Sequence, residues 1–466
     1  MELEVAKKVI KKHTLGHSGF IEKAETANRY YRKENDILFL PKKSKDEETP
    51  LRNADNRVPS NFYKLQVNQK AAYAFTTPPT FDVDDQAKND VIKKALGDAF
   101  AKKCKALCVQ AANTSVGWLH YWCGEDGTFK YEVINSTQII PVWTKGLEKE
   151  LLALLRVYND MDEAGDEYMV YEYWTDTECQ TFRRRCDMDL EALEKYCIYT
   201  VLDPGPGYGQ ETNTFQHGMG EVPFIFFNNN DEMQPDLKDI KELIDSYDKV
   251  FSGFVNDLED IQEIIFILTN YGGEAGNPDD IIQEIKRAKL VQVDNDGKGD
   301  KSGLSTLAIE IPTEAREKML SITRKSIFEQ GMAIDPDPQN FGNSSGVALG
   351  YLYSLLELKT GMMQTEFMIS FNRLIRAILR FYHMDAEKIE QTWTRTSVTN
   401  DSELADIAQK SVGVVSKRTI VKNHPWVEDP DDEMDRIEEE ERHESQNAET
   451  YGDAFLKVGD QTDVEE

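Results

Sequence analysis

Leu237, Ile240, Ile244, Tyr247, Phe251, Phe254, Leu258, Ile261, Ile265 and Leu268 recur at intervals of three and four residues without a break. That spacing predicts a helix of about 48 Å at 1.5 Å per residue, with one apolar seam of the coiled-coil kind. A seam of this length must be covered, either within the chain or against another copy of it. Gly272-Gly273 ends the predicted helix. A compact insertion then runs to about Pro312, with a short helix expected over Asp279 to Lys289 and strands over Leu290 to Val293 and Leu304 to Ile311. Thr313 reads as an N-cap with Glu314 in the first turn, opening a helix to about Gln330. Pro336 and Pro338 bar the next stretch from being helical. Ser344 or Ser345 then caps a second long helix through Tyr382, about 55 Å, where Gly361 marks an expected kink.

Upstream, the residue pattern is different. Helical spacing is expected over Phe20 to Glu34, Val58 to Phe75 and Asn89 to Asn113, with a polar loop from Lys42 to Asn56. From Gly117 to Phe227, short alternating runs separated by turn residues argue for antiparallel β-structure. Gly124-Glu125-Asp126-Gly127 reads as the turn of a hairpin, and Tyr168 to Trp174, Thr181 to Arg185 and Tyr196 to Leu202 as further strands. A strand-like Gln391-Thr392-Trp393-Thr394 precedes a helical tail. From Val427 to the end, seventeen acidic residues face only Arg436, Arg442 and Lys457, the composition of a solvated face. The fold class expected is α+β.

Charge narrows the function. The formal net charge is −30, whereas tight DNA binding needs clustered Lys and Arg to neutralise phosphates. A repressor or polymerase is therefore excluded, but a surface past which DNA slides is not. The six cysteines form no CxxC pair and no His-x3-5-His lies near them, so neither a metal nor another cofactor is expected. Cys104 and Cys108, one helical turn apart, read as small buried hydrophobes. Lys7, Lys8, Lys11 and Lys12 are not followed by an apolar signal core. Ile264 to Leu268, the longest apolar run, is far short of a membrane span, so no membrane partner is expected.

Several patterns imitate chemistry. Asp294-Asn295-Asp296-Gly297 would open a calcium loop, but Lys298 and Ser305 stand where ligands are required. Gly342-Asn343-Ser344-Ser345-Gly346 lacks the GK[ST] of a phosphate loop. Pro204-Gly205-Pro206-Gly207 reads as a turn. His120, His217 and His383 lie in separate segments with no neighbouring nucleophile. No catalytic residue is expected, and the chain reads as a non-enzyme.

The order of segments is more specific than any of these patterns. Asn53-Ala54-Asp55-Asn56-Arg57-Val58-Pro59-Ser60-Asn61-Phe62 leads to Lys70 and Tyr73, and Gly220-Glu221-Val222-Pro223-Phe224-Ile225-Phe226-Phe227-Asn228-Asn229 follows. Then come the seam with Asn256-Asp257, the helix start Ser345-Gly346-Val347-Ala348-Leu349, and Ser416-Lys417-Arg418-Thr419 with Pro425 and Glu433. Taken in this order, the segments resemble the portal family of long-tailed phages of Gram-positive bacteria, over nearly the whole chain.

The resemblance implies a ring-shaped channel at the capsid vertex for packaging and ejecting double-stranded DNA. It implies a wing over 1–235, a first stem helix over 236–269, a clip over 270–312 and a second stem helix over 313–333. A tunnel loop over 334–345, a long kinked helix and wing return over 346–399, and a crown with acidic tail over 400–466 complete the chain. The channel residues expected are Asp335, Asp337, Gln339, Asn340, Phe341, Asn343 and Ser344, and the clip docking residues Asp279, Lys286 and Arg287. The ten seam residues would face the neighbouring subunit. Partners implied are eleven further copies in a ring of twelve, the terminase motor, a head-completion adaptor, the major capsid and scaffolding proteins, and DNA transiently. The protein would be a virion component assembled in the reducing host cytoplasm. Two rival classes stay open on the residues alone: an elongated coiled-coil scaffold or adaptor, and an acidic cytoplasmic enzyme with an unrecognised site.

Overall fold

The structure is a computed structural model. It describes residues 1–41, 54–147, 149–201, 210–260, 265–269, 303–307, 312–337, 346–395, 401–422, 424, 426–427, 433–440 and 442. The chain divides into two units, Met1–Asp335 with Leu355–Thr396, and Pro336–Ser354 with Ser397–Glu466.

The first unit opens with helix α1 (Leu3–Tyr31), which begins well before the expected Phe20. Gly16 and Gly19 weaken this stretch as an isolated helix. Packing overrides that weakness, because Ala6 and Ile10 are buried against Ile140, Leu155 and Phe182. Helix α1 stops where Lys33 takes φ 66° and the Glu34 N–H returns to the Arg29 carbonyl, a left-handed C-terminal cap. Helix α2 (Phe62–Phe75) follows, then strand β1 (Thr80–Asp82). The single helix expected from Asn89 is two, α3 (Gln86–Leu96) and α4 (Phe100–Thr114). The break is Gly97 at φ 65°, a backbone open to glycine and costly for other residues. Asp85 starts α3 by accepting from the N–H groups of Ala87 and Lys88.

Two antiparallel sheets occupy the middle of the unit. Strands β2 (Val116–Cys123) and β3 (Phe129–Ile134) form the expected hairpin. The larger sheet contains β4 (Ile139–Trp143), β5 (Leu151–Met161), β6 (Glu167–Trp174), β7 (Glu178–Arg185), β8 (Glu194–Lys195) and β11 (Thr214–Gln216). Strands β9 (Tyr199–Val201) and β10 (Gln210–Thr212) pair separately. Strand β12 (Phe224–Asn228) joins β2 from the other side, giving the order β12-β2-β3. Strand β5 lacks alternation because both its faces are covered. Leu154 packs with Trp118 and Phe224, while Leu155 packs with Ala6 and Ile10 of α1.

Helix α5 (Lys241–Asp260) is shorter than the seam suggested. Leu237 and Ile240 lie in turns before it. Ile265 and Leu268 belong to strand β13 (Ile265–Thr269), which pairs antiparallel with β14 (Gly303–Leu307). The reason is compositional: Ile265-Phe266-Ile267 is β-branched and aromatic and apolar on both sides, so cross-strand pairs outweigh continued helix. Ile261, the expected helix over 279–289 and strand over 290–293, and the segments starting at Asp294 and Gly342 lie outside the described residues.

Helix α6 (Thr313–Gln330) is preceded by Pro312 as its cap residue, with no side-chain cap bond, so Thr313 is its first residue and not its N-cap. Helix α7 (Gly346–Phe381) runs through Gly361 as one 36-residue element. Its Met363, Phe367, Phe371, Leu374 and Ile378 fill the main core with Phe75, Cys104, Cys108 and Phe227. Burial pushes the Cys108 thiol up to about 12, consistent with an inert packing role. Strand β15 (Glu390–Thr392) returns to pair with β1. The second unit contains the first turns of α7, α8 (Asp401–Lys410), α9 (Lys417–Lys422) and a helical stretch over 433–440. The architecture is α+β.

Candidate functional site

Helices α5 and α6 lie side by side and antiparallel. Near the start of α5, Ile240 and Ile244 pack with Ile327 from the end of α6. Near the end of α5, Arg316 from the start of α6 bonds Asp257 and the Gly253 carbonyl, and its guanidinium lies 5.5 Å from the Phe254 ring centroid. The antiparallel β13–β14 pair lies between them in the chain, β13 after α5 and β14 before α6.

The seam residues divide along this pair. Leu237, Ile240 and Ile244 are buried within the subunit, against Ala27 and Tyr30 of α1, Tyr63 and Val67 of α2, and Ala112 of α4. They are core residues, so the expectation that they face a neighbouring subunit is corrected. Spacing reveals that a helix has an apolar face, not which surface will cover it. Tyr247 is half-buried, meeting Phe62 edge-on at 4.9 Å and stacking on Phe251 at 6.1 Å. Leu258 is exposed.

The polar side of α5 carries an arrangement that sequence reasoning missed. The extended segment 54–61 lies along the helix. The N–H groups of Asn56, Val58 and Ser60 donate to Asn256 Oδ1 (2.6 Å), Ser252 Oγ (3.0 Å) and Asp248 Oδ1 (2.8 Å). Two extended residues advance about 6.6 Å and four helical residues about 6.0 Å. An i, i+4, i+8 row of short polar side chains therefore matches alternate N–H groups of a strap running the other way. Asn35 Nδ2 reaches the second Asp248 oxygen at 2.6 Å. Burial nevertheless pushes the Asp248 carboxyl above its ordinary value. The signal was the row Asp248, Ser252, Asn256, short polar side chains at intervals of four along α5.

A second arrangement lies where α2, the end of β12, the end of α6 and α7 meet. Lys70 Nζ, fully buried on α2, donates to Asn229 Oδ1 at 2.6 Å and to Asp236 at 3.2 Å. Lys359 Nζ on α7 lies 3.1 Å from the same carboxylate and 2.9 Å from the Gly331 carbonyl at the end of α6. Burial alone would raise the Asp236 carboxyl. The ammonium groups of Lys359 and Lys70 and the Asn229 amide outweigh it and hold the carboxyl at about 2. Burial lowers Lys359. One carboxylate thus ties α2, the end of β12, the approach to α5, the exit of α6 and α7. Lys70 among Val67, Ala71 and Ala74 was the available signal, since a lysine on a buried helix face needs a partner.

Of the expected channel residues, Asp335 pairs with Arg324 at 2.6 Å, and Ile334 is clamped through both N–H and carbonyl by Gln69. Asp337 is described, while Gln339, Asn340, Phe341, Asn343 and Ser344 lie outside the described residues, as do Asp279, Lys286 and Arg287. His120 and His217 both approach Trp174. His120 is buried between Trp122 and Phe224, and burial lowers it to about 4. Their ring nitrogens bond backbone groups, His120 Nδ1 the Pro223 carbonyl, His217 Nε2 the Thr175 carbonyl and His217 Nδ1 the Met219 N–H. Among the described residues no cluster of metal ligands occurs, and no helix is long and apolar enough to cross a membrane.

The segments that carried the resemblance are partners in space. Asn56 meets Asn256, Lys70 meets Asn229, and Tyr73 reaches Glu357 on α7 at 2.7 Å. The family model described as phage portal protein, SPP1 Gp6-like, matches residues 10–447. The chain belongs to this portal family. It is 42% identical to the portal protein of Clostridium phage phiCD119 over 92% of this chain and 94% of the relative. It is 31% identical to the portal protein of Bacillus phage SPP1 over 94% of this chain and 87% of the relative. Among solved structures it matches the neck of a native GTA particle computed with C12 symmetry, at TM-score 0.42 and 14% identity, covering 84% of this chain and 90% of that one. Its function is that of a portal protein, the DNA channel at the capsid vertex, and its place is in the virion. Portal proteins are a structural family.

Proposed function

We propose that twelve copies of the chain assemble in the host cytoplasm into a closed ring, with α5 and α6 as the stem pair around the bore. The observation that carries this reading is the asymmetry of that pair's two ends. One end is locked by the buried Lys70–Asp236–Lys359 cluster, and beyond the other lie the paired strands β13 and β14. A rigid lever anchored at one end suits a subunit that must keep a channel open while partners bind beyond it.

In this reading 1–235 forms the wing, 236–269 and 313–333 the stem with its β13 extension, 270–312 the clip, and 334–345 the tunnel loop. Residues 346–399 return to the wing and 400–466 form the crown. Asp279, Lys286 and Arg287 offer the clip surface to the terminase motor and later to the head-completion adaptor, while major capsid and scaffolding proteins surround the wing. Asp335, Asp337, Gln339, Asn340, Phe341, Asn343 and Ser344 line the narrowest passage. The acidic chain repels phosphate, so DNA passes with weak contacts that salt screens further. A coiled-coil scaffold loses its support, because the seam that suggested it is partly spent inside the subunit and ends in a strand.

Negative-stain electron microscopy of the purified protein tests the assembly: rings with a central channel are expected, and rods or dimers refute it. Replacing Asp279, Lys286 and Arg287 together is expected to leave rings intact and abolish packaging. Normal packaging removes the clip assignment.

A further inference from the structure

Helix α7 is apolar on two sides. Its inner face is in the core, yet Leu355, Leu358, Met362 and Ile369 form a second row at helical spacing that is open to solvent, with Leu358 56% and Met362 51% exposed. Among the exposed positions from 355 to 369 the one charged residue is Glu357, whose carboxylate is held by Arg395 and Tyr73. In a chain that is 30% charged, this depletion is the composition of an interface centre. A helix apolar all round is one that becomes covered. Beyond Ile369 the same face continues as Arg373 and Arg376.

A second open apolar surface lies elsewhere on the same unit. The turn Asp36–Phe39 presents Leu38, Phe39 and Leu40 in succession, with Phe39 62% exposed. Its backbone is held from behind. Asn35 bonds Asp248, Asp36 is paired with Arg29 and Lys241, and Arg57 donates to the carbonyls of Leu38 and Pro41. Three large apolar side chains on a fixed support make a knob.

The two surfaces start at one level of the stem and run the same way. The knob sits on α5 at Lys241–Asp248, where Ile240 and Ile244 meet Ile327 of α6. The α7 row begins beside Lys359, bonded to Gly331 at the end of α6. From there α1 leads back through exposed Glu25 and Glu22 to Phe20, which packs in the cluster that contains Phe226. Helix α7 leads on through Ile369 to Ser370 and Arg373, which contact Phe226 through its carbonyl (2.6 Å) and its ring (4.5 Å). Glu22 and Glu25 share one side of α1, with the exposed Lys23 about 100° round the helix from Glu22, so both surfaces read apolar first and charged second, with opposite sign on the facing sides. Rotation about a ring axis keeps each residue at its own level, so a head-to-tail contact needs two different surfaces at matching levels.

We propose that Leu38, Phe39 and Leu40 of one copy seat on the Leu355, Leu358, Met362 and Ile369 row of the next copy, with Glu22 and Glu25 facing Arg373 and Arg376. This rests on the ring reading above and assigns its lateral contact.

The test uses the full chain in two double variants, Leu358→Glu with Met362→Glu, and Leu38→Glu with Phe39→Glu. All four positions are exposed in the subunit, so circular dichroism, and the urea midpoint at a concentration where the wild type is also unassembled, are expected to stay at wild-type values. Each variant alone is expected to require at least about a hundredfold higher concentration to assemble, because charges enter an apolar contact without partners. Mixed in equal amounts, each supplies the face the other lacks, and native mass spectrometry should find a one-to-one heterodimer that grows no further. A charge arm avoids the apolar surface: Glu25→Arg and Arg376→Glu should each weaken assembly and restore it when mixed. Variants that close rings at wild-type concentration, or a mixture that stays monomeric, overturn this contact. A wild-type protein that is itself monomeric at every concentration overturns the ring reading as well.

Discussion

Replacing Asp236 with Asn preserves shape and removes the one negative charge between two buried ammonium groups. Lys70 then has a neutral amide in place of its counter-ion at 3.2 Å, and Lys359 loses the same partner at 3.1 Å. Breaking a buried pair by removing one partner costs about 3–5 kcal/mol. Lys70→Met is milder. Asp236 keeps Lys359 and the Asn229 amide at 2.7 Å, and the main loss is the donor to Asn229 Oδ1, about 2 kcal/mol. The double variant Lys70→Met with Asp236→Asn removes one of the two stranded cations, leaving only Lys359 without its counter-ion, so it should be more stable than Asp236→Asn alone. A coupling of about 2 kcal/mol or more is expected. The assay is native-state amide exchange at residues 229 and 236, whose N–H groups donate to the Ser115 and Ala112 carbonyls at 2.8 Å each. Asp236→Asn should speed exchange there by about a hundredfold or more. Additive costs, or a Lys70→Met variant that exchanges faster than Asp236→Asn, would refute the charge account of this junction.

Ser252→Ala leaves the Val58 N–H without its acceptor, at a cost of about 1 kcal/mol, and limited trypsin digestion should then cut faster at Arg57; an unchanged cutting rate means the strap is held by other contacts. His120 sets an acid slope. Its folded value of about 4 lies below the ordinary 6.5, so the unfolded chain binds the proton first, and stability should fall as pH drops from 6.5 towards 4. The fall is at most about 3 kcal/mol, and His120→Gln should flatten it in urea melts across that window; an undiminished slope assigns the effect to other groups. Asp236 acts lower. Its contribution is present above its ordinary carboxylate value and is lost as pH falls towards 2, so Asp236→Asn should leave the 4 to 6.5 slope intact.

The sequence by itself determined the order of elements, the α+β class and the family, because each rests on local information. Alternation marked the β2–β3 hairpin, spacing marked the apolar sides of α5 and α7, and prolines marked the loop after α6. Its misses have a common cause. The seam from Leu237 to Leu268 is one unbroken pattern in the chain, yet it becomes buried turns, a helix and a strand, since local spacing cannot weigh the cross-strand partners Leu304 of Leu268 and Leu307 of Ile265, far along the chain. Helix α1 extends to Leu3 because a sheet formed far downstream covers Ala6 and Ile10. The functional groupings were least legible of all. Lys70, Asp236 and Lys359 are scattered through the chain, as are Ser60 and Asp248, and no spacing rule connects them. Only the folded backbone brings such charges within 3.2 Å of one another. A buried charge can persist only where its partner is close, so those meetings were decided by tertiary structure.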